Sequence, residues 1–149
     1  MALTWTCLHH SALDKAQLHC LLKLRCEVFV VEQQCAYPDI DGLDLAGDTH
    51  HLLGEQGEQL LAYLRLLPRD TGEVAIGRVI IAPAARGQGL GHQLMAQALE
   101  QAALRWPGQG LYLSAQAHLT DYYKGYGFSP EGEPYLEDGI PHIDMRKPA

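Results

Sequence analysis

Arg86-Gly87-Gln88-Gly89-Leu90-Gly91 lies between an apolar run that ends at Ile81 and a run with helical spacing that opens near His92. A strand, a glycine-rich turn and a helix in that order leave several backbone N–H groups at the helix N-terminus without an intrahelical partner. Those donors and the positive end of the helix dipole stabilise an anion, and glycine lets the main chain approach phosphate oxygens without a Cβ in the way. Arg86 can add a charge-assisted contact. Spacing excludes two common phosphate loops. The dinucleotide fingerprint GxGxxG needs glycine where the chain has His92, and it opens a first βαβ unit rather than following several strands. A Walker A loop beginning at Gly87 needs glycine, lysine and Ser or Thr where His92, Gln93 and Leu94 stand. What remains is Arg-x-x-Gly-x-Gly, against the competing reading of a glycine turn that merely starts a helix.

On the N-terminal side of this turn, residues 4–8 read as a strand, and Ser11 with Asp14 three positions on forms a capping pattern for a helix over about residues 12–29. Residues 51–54 and 60–67 flank Glu55-Gln56-Gly57-Glu58 as a hairpin, and residues 74–81 form a third β-rich run. Gly77 inside that run points to a bulge or a close backbone approach. Beyond the turn, Leu94, Met95, Ala98, Leu99 and Ala102 recur at helical spacing until Trp106-Pro107-Gly108. Residues 111–115 then read as a buried strand, 119–126 as a short helix closed by Gly127, and the remainder as two strands ending near Met145. The expected class is α+β.

A length of 149 residues suits one compact domain over residues 1–149, and 47% hydrophobic with 19% charged residues suits a chain that folds without a partner. Eleven basic against 18 acidic residues give a net charge of -7, which repels nucleic acid and anionic membranes and favours a cationic substrate. The start has no basic n-region, and no apolar run approaches the ~18 residues of a membrane span, so a cytoplasmic protein with neither nucleic acid nor membrane as partner is expected. Cys7, Cys20, Cys26 and Cys35, spaced by 13, 6 and 9 positions, match neither a CxxC pair nor a zinc site. They read as free thiols, with no metal.

A second motif follows. Tyr122-Tyr123-Lys124-Gly125-Tyr126-Gly127-Phe128 contains Tyr-x-x-x-Gly-Phe. Taken with Arg-x-x-Gly-x-Gly, in that order and with a strand between, it resembles the signature of the GNAT superfamily of acyl-CoA-dependent N-acetyltransferases. The segments Arg25-Cys26-Glu27-Val28-Phe29-Val30-Val31-Glu32-Gln33, Tyr37-Pro38-Asp39-Ile40-Asp41-Gly42-Leu43-Asp44 and Glu137-Asp138-Gly139-Ile140-Pro141-His142-Ile143 are similar to the ElaA-type branch. With them the resemblance runs along nearly the whole chain.

The resemblance implies a GNAT-like mixed, mainly antiparallel central sheet of six to seven strands flanked by about four helices. It implies acetyl-CoA as co-substrate and a small-molecule or peptide amine as acceptor, and it allows a homodimer. In such a protein Arg86, Gly87, Gln88, Gly89, Leu90 and Gly91 take the diphosphate, and the amides of Val79, Ile80 and Ile81 pair with pantetheine. Gln116 stands where many members carry an Asn that contacts pantetheine, and His118 replaces a common small residue, which leaves the side-chain contacts of that strand end open. Tyr123 matches the tyrosine that acts as general acid toward the departing thiolate. A phenol, with pKa about 10, is protonated at neutral pH and can share its proton with a basic thiolate. The competing reading is an aromatic helix face in the core, which suits Tyr122 and Tyr126, four apart, and leaves Tyr123 about 100° around the axis.

An N–H near Val79 to Ile81, freed by a bulge close to Gly77, can stabilise an oxyanion. Glu32 and His142 are the candidate general bases, beside a base acting through water. Glu32 follows an apolar run where burial would raise its pKa, and histidine suits proton transfer near neutrality. Residues 38–48 form an acidic loop that departs from EF-hand spacing at Asp44 and His50. Either Asp39, Asp41, Asp44 and Asp48 attract a cationic amine, or they are solvated and bond their own backbone. The pairs His9-His10 and His50-His51 cannot both face one way on a strand and are assigned no metal. The alternative function is a non-catalytic acyl-CoA-binding or regulatory domain, against which a proton donor at Tyr123 argues.

Overall fold

The computed structural model describes residues 2–149. Seven strands form one sheet: β1 (Thr4–His9), β2 (His50–Gln56), β3 (Gln59–Pro68), β4 (Glu73–Ile81), β5 (Gly110–Gln116), β6 (Ser129–Glu137) and β7 (Ile140–Lys147). Their spatial order is β1-β2-β3-β4-β5-β7-β6, and every neighbouring pair is antiparallel except β4 with β5. The helices are α1 (Lys15–Arg25), α2 (Leu90–Arg105) and α3 (Thr120–Lys124), and α1 runs on as a π-helical segment over Cys26–Glu32. This is the mixed, mainly antiparallel sheet of six to seven strands that the resemblance implied, flanked by roughly the implied number of helices.

Helices cover both faces of the sheet, which is why β3 reads as a continuous apolar run rather than an alternating one. On one face Leu94, Met95, Ala98 and Ala102 of α2 pack with Leu52, Leu64 and Leu66. On the other, Leu21, Leu24 and Val28 pack with Leu53, Leu61 and Tyr63. The α1 cap sits three residues later than the sequence pattern put it. Asp14 accepts from the Gln17 amide at 2.7 Å while the Gln17 side chain accepts from the Asp14 amide at 3.0 Å, and Ser11 instead lies in a short 3-10 turn. All four cysteines are free.

The acidic loop overturns the reading of its carboxylates as an open amine site and bears out the other reading only at Asp41, which accepts from the Leu43 amide at 3.0 Å. Arg25, with its side chain fully buried, donates through Nε to Asp39 at 2.9 Å, through Nη1 to Asp44 and through Nη2 to the Asp39 carbonyl. Arg65 grips Asp41 with both terminal nitrogens at 2.9 Å and also reaches Asp44. Arg78 approaches Asp39 and Asp41 from β4. Asp48 accepts from the Trp106 indole at 3.0 Å. The Asp39, Asp41 and Asp44 charges are therefore already neutralised by three arginines and form no open attractor for an amine. His51 is buried beneath the loop. Because the Asp44 carbonyl can only accept, its Nε2 carries the proton, and Nδ1 receives the Tyr63 hydroxyl at 2.6 Å.

Removing one member of a buried ion network leaves its partners uncompensated, at a cost of about 3–5 kcal/mol. Arg25→Leu should lower unfolding free energy by about that amount in urea titrations at neutral pH. Arginine contacts hold Asp44 below the usual carboxylate range and bring Asp41 down to about 2 against the cost of burial. Such depressed carboxyls stabilise the fold above their ordinary pKa near ~4 and lose that contribution as pH falls toward the folded value. Because Arg25 is among the groups that lower Asp44, the gap between the two proteins should narrow as pH falls below ~4. A gap independent of pH below ~4 would contradict the assignment.

Candidate active site

Strands β4 and β5 share only three register pairs, Glu73 with Gly110, Val74 with Leu111 and Ala75 with Tyr112. Beyond Ala75 they part, while β5 stays paired with β7 as far as Gln116 opposite His142. A cavity of about 840 Å³ occupies the gap. Val79, Ile80, Ile81, Arg86, Gly91, Gln116, Tyr123 and His142 all line it, so most of the residues singled out in the sequence converge on one place.

The glycine turn has the backbone that its sequence required. Gly87 and Gly89 have φ of 81° and 74°, a left-handed conformation open to glycine at little cost. Gly89 is the N-cap of α2, no side chain caps the helix, and no acid lies in its first turn. The first-turn amides are therefore available to an anion. Gln88 is exposed, whereas the Leu90 side chain is buried in the core, so the amide is what Leu90 can offer a ligand. A Cβ on Gly91 would stand 2.9 Å from the Tyr122 hydroxyl, and this close approach lets α3 pack beside the turn.

Arg86 is not the free cation expected. Its two terminal nitrogens each donate to Glu32 at 2.8 Å and its Nε donates to the Ile81 carbonyl at 3.1 Å. Glu32 is corrected by the same contact. Its side chain is 42% exposed rather than buried, it does not line the cavity, and Arg86 holds its carboxyl below the usual range instead of above it. Physically it anchors the end of the π-helical segment to the turn.

Tyr123 is 7% exposed, wedged edge-on against Tyr122 and Phe128, and lines the cavity, so it combines the core and site readings. Burial first, and then the nearby Tyr126 phenol, pushes its pKa up to about 12. Tyr122 and Tyr126 instead form an aromatic group with His92. Across the gap, His142 bonds through Nδ1 to the Ile140 carbonyl at 2.7 Å. A carbonyl has no proton to give, so in the neutral ring Nδ1 carries the hydrogen and Nε2 keeps its lone pair. That Nε2 lies 3.5 Å from Glu137 Oε2.

The bulge falls one residue beyond Gly77. Tyr63 pairs with Ile80 and Arg65 with Gly77, leaving Arg78 and Val79 opposite Leu64 alone, and it is Arg78 that has positive φ, 57°. Gln33, Tyr37 and Glu137, which stand in the ElaA-like segments but were given no role there, line the cavity together with Ser114. They come from separate segments with no shared local pattern.

This geometry has close counterparts. Residues 14–149 match the family described as acetyltransferase (GNAT) domain. This chain belongs to the GNAT acetyltransferase family. Protein ElaA of Escherichia coli is 52% identical over 145 residues, covering 96% of this chain and 95% of that one. The crystal structure of an acyl-CoA N-acyltransferase from Pseudomonas aeruginosa superposes with TM-score 0.96 at 60% identity, covering 98% of this chain and 99% of the other. That of Escherichia coli ElaA gives 0.93 at 51%, covering 97% and 99%. The chain is therefore a GNAT acyltransferase of the ElaA type. No helix among the described residues is long and apolar enough to cross a membrane, and no group of three or more His, Cys, Asp or Glu among them could hold a metal ion.

Gly91→Ala should weaken coenzyme A binding, measured by calorimetry, by roughly 3- to 10-fold because the added methyl displaces Tyr122 and the turn. Adding Tyr122→Phe, which removes the clashing oxygen, should restore most of the loss. Equal weakening in the single and double variants would show that the contact does not govern the turn.

Proposed function

We propose that the chain transfers an acetyl group from acetyl-CoA to a primary amine by direct attack. The observation that carries this reading is the placement of the Tyr123 phenol, the His142 imidazole and the β4 bulge around one cavity that extends to the uncapped end of α2. Acetyl-CoA supplies an activated thioester carbonyl and a thiolate leaving group.

The uncapped amides at the start of α2, approached through Gly87 and Gly89, bind the diphosphate, whose charge the helix dipole and the N–H donors stabilise. Val79, Ile80 and Ile81 lie where β5 has left β4, so the main-chain groups there that neither β3 nor Arg86 engages can pair with the pantetheine arm. A bulge amide at Arg78 to Ile80 stabilises negative charge developing on the acyl oxygen. Tyr123 gives its proton to the thiolate. Its raised pKa keeps the phenol protonated at neutral pH, and the proton is shared with the sulfur as the C–S bond breaks. His142 Nε2, with its lone pair free, takes the proton from the amine, whereas Glu32, held as a weak base by Arg86, does not.

Tyr123→Phe should lower kcat by about 100-fold or more with the KM for acetyl-CoA little changed, and His142→Gln should lower it by about 10-fold or more. Release of free coenzyme A across a panel of amines measures both. In the unmodified enzyme kcat should hold as pH rises to ~10, since burial keeps the Tyr123 phenol protonated there. Full activity in Tyr123→Phe would remove the phenol from the mechanism.

A further inference from the structure

Three residues other than glycine have positive φ among the described residues: Gln34, Arg78 and Asp138. Gln34 and Asp138 lie in turns, but Arg78 lies inside β4, at the first position of the bulge. Glycine is the ordinary occupant of a left-handed residue at the start of a bulge, because a side chain there crowds the carbonyl. The chain has a glycine next door, and Gly77 does not take up the left-handed conformation. An arginine at the crowded position is explained if its side chain does something that compensates for the backbone.

The surroundings of the guanidinium supply that compensation. Nη2 donates to the Asp39 carbonyl at 3.0 Å and lies 3.5 Å from Asp41 Oδ2. Nε stands 2.9 Å from Asp39 Oδ1 but off the direction in which its hydrogen points, so this contact is an ion pair rather than a hydrogen bond. The guanidinium sits 5.7 Å from the centre of the Tyr37 ring. Its carboxylate partners are themselves held by other arginines. Arg25 holds the other oxygen of Asp39, and Arg65 grips Asp41 with two nitrogens. A largely buried ion network is thereby joined through one side chain to the strand segment that faces the reacting carbonyl in the proposed reaction.

We infer that Arg78 is a positioning residue: clamped to Asp39 and Asp41, it holds the bulge in its left-handed form and so aims a main-chain N–H of residues 78–80 into the cavity. The inference rests on the reading that a bulge amide faces the acyl oxygen. It assigns the acidic loop a purpose in the chemistry, as the fixed post to which the oxyanion donor is tied.

Arg78→Gly removes the clamp from a backbone that glycine leaves free to enter or leave the left-handed form, while Asp39 and Asp41 keep Arg25 and Arg65 as partners. The expected result is a kcat lower by about 10- to 100-fold, the loss that small misplacement of a reacting group produces, with the KM for acetyl-CoA changed by less than about threefold. Amide hydrogen exchange at Val79 and Ile80 should be faster, while that at Tyr63 on the neighbouring strand is unchanged. Tyr123→Phe is assayed alongside. If it is slow while Arg78→Gly retains full kcat, the positioning role is overturned and the acyl-transfer reading stands. If the unmodified protein consumes no acetyl-CoA with any amine, that reading fails and the exchange rates decide the clamp alone. Faster exchange at Val79 and Ile80 supports it, and unchanged exchange overturns it.

Discussion

Two parallel strands that separate after three register pairs set the terms for everything else in this molecule. A parallel pair needs a crossover, and here the crossover is the glycine turn with α2, whose N-terminus lies beside the opening. Because β5 stays paired with β7 while it leaves β4, the gap gains Gln116 and His142 on one wall and Val79 to Ile81 on the other. The unpaired main chain along the gap is the resource a thioester carrier needs, since pantetheine amides can complete the missing ladder. A sheet closed along its full length would have buried those groups in hydrogen bonds and left no site.

The opening is held by devices of different kinds on its two faces. On the α2 face, apolar packing suffices: Leu94, Met95 and Ala98 seat the helix on the sheet, and Gly91 lets the Tyr122 hydroxyl come close to the helix start. On the α1 face, charge is used instead. Arg25 and Arg65 are both nearly inaccessible, and the carboxylates they hold wrap the loop of residues 33–49 across the sheet toward the cavity. Such a network is costly to bury, and replacing it with apolar side chains would be as stabilising. What apolar packing cannot do is hold a guanidinium at a defined point on a strand, as Asp39 and Asp41 hold Arg78.

The glycine turn and the Tyr-x-x-x-Gly-Phe motif were legible because each is a local pattern whose chemistry depends on neighbours in sequence: glycine for a left-handed cap, tyrosine at a fixed offset for the phenol. The α2 register and the buried strands were legible for the same reason, since periodicity reports which face is covered. The roles of Arg86, Glu32 and the acidic loop were not. Arg86 meets Glu32 across 54 positions, and Arg65 meets Asp41 across 24, so no window of sequence shows that these charges are already paired. Nor did the bulge declare its residue. Gly77 drew attention to the right turn of the strand, but the left-handed position belongs to Arg78, because the side chain there is anchored.

In the proposed mode of binding, the start of α2 takes the diphosphate of coenzyme A and the pantetheine arm lies along β4. Titration of the isotopically labelled protein with coenzyme A, followed through backbone amide resonances, examines this directly. The largest shifts should fall on Gly87 to Gly91 and on Val79 to Ile81, with little change on β1. Shifts confined to the shallow groove around Trp106 and Pro148, leaving the glycine turn unmoved, would contradict it.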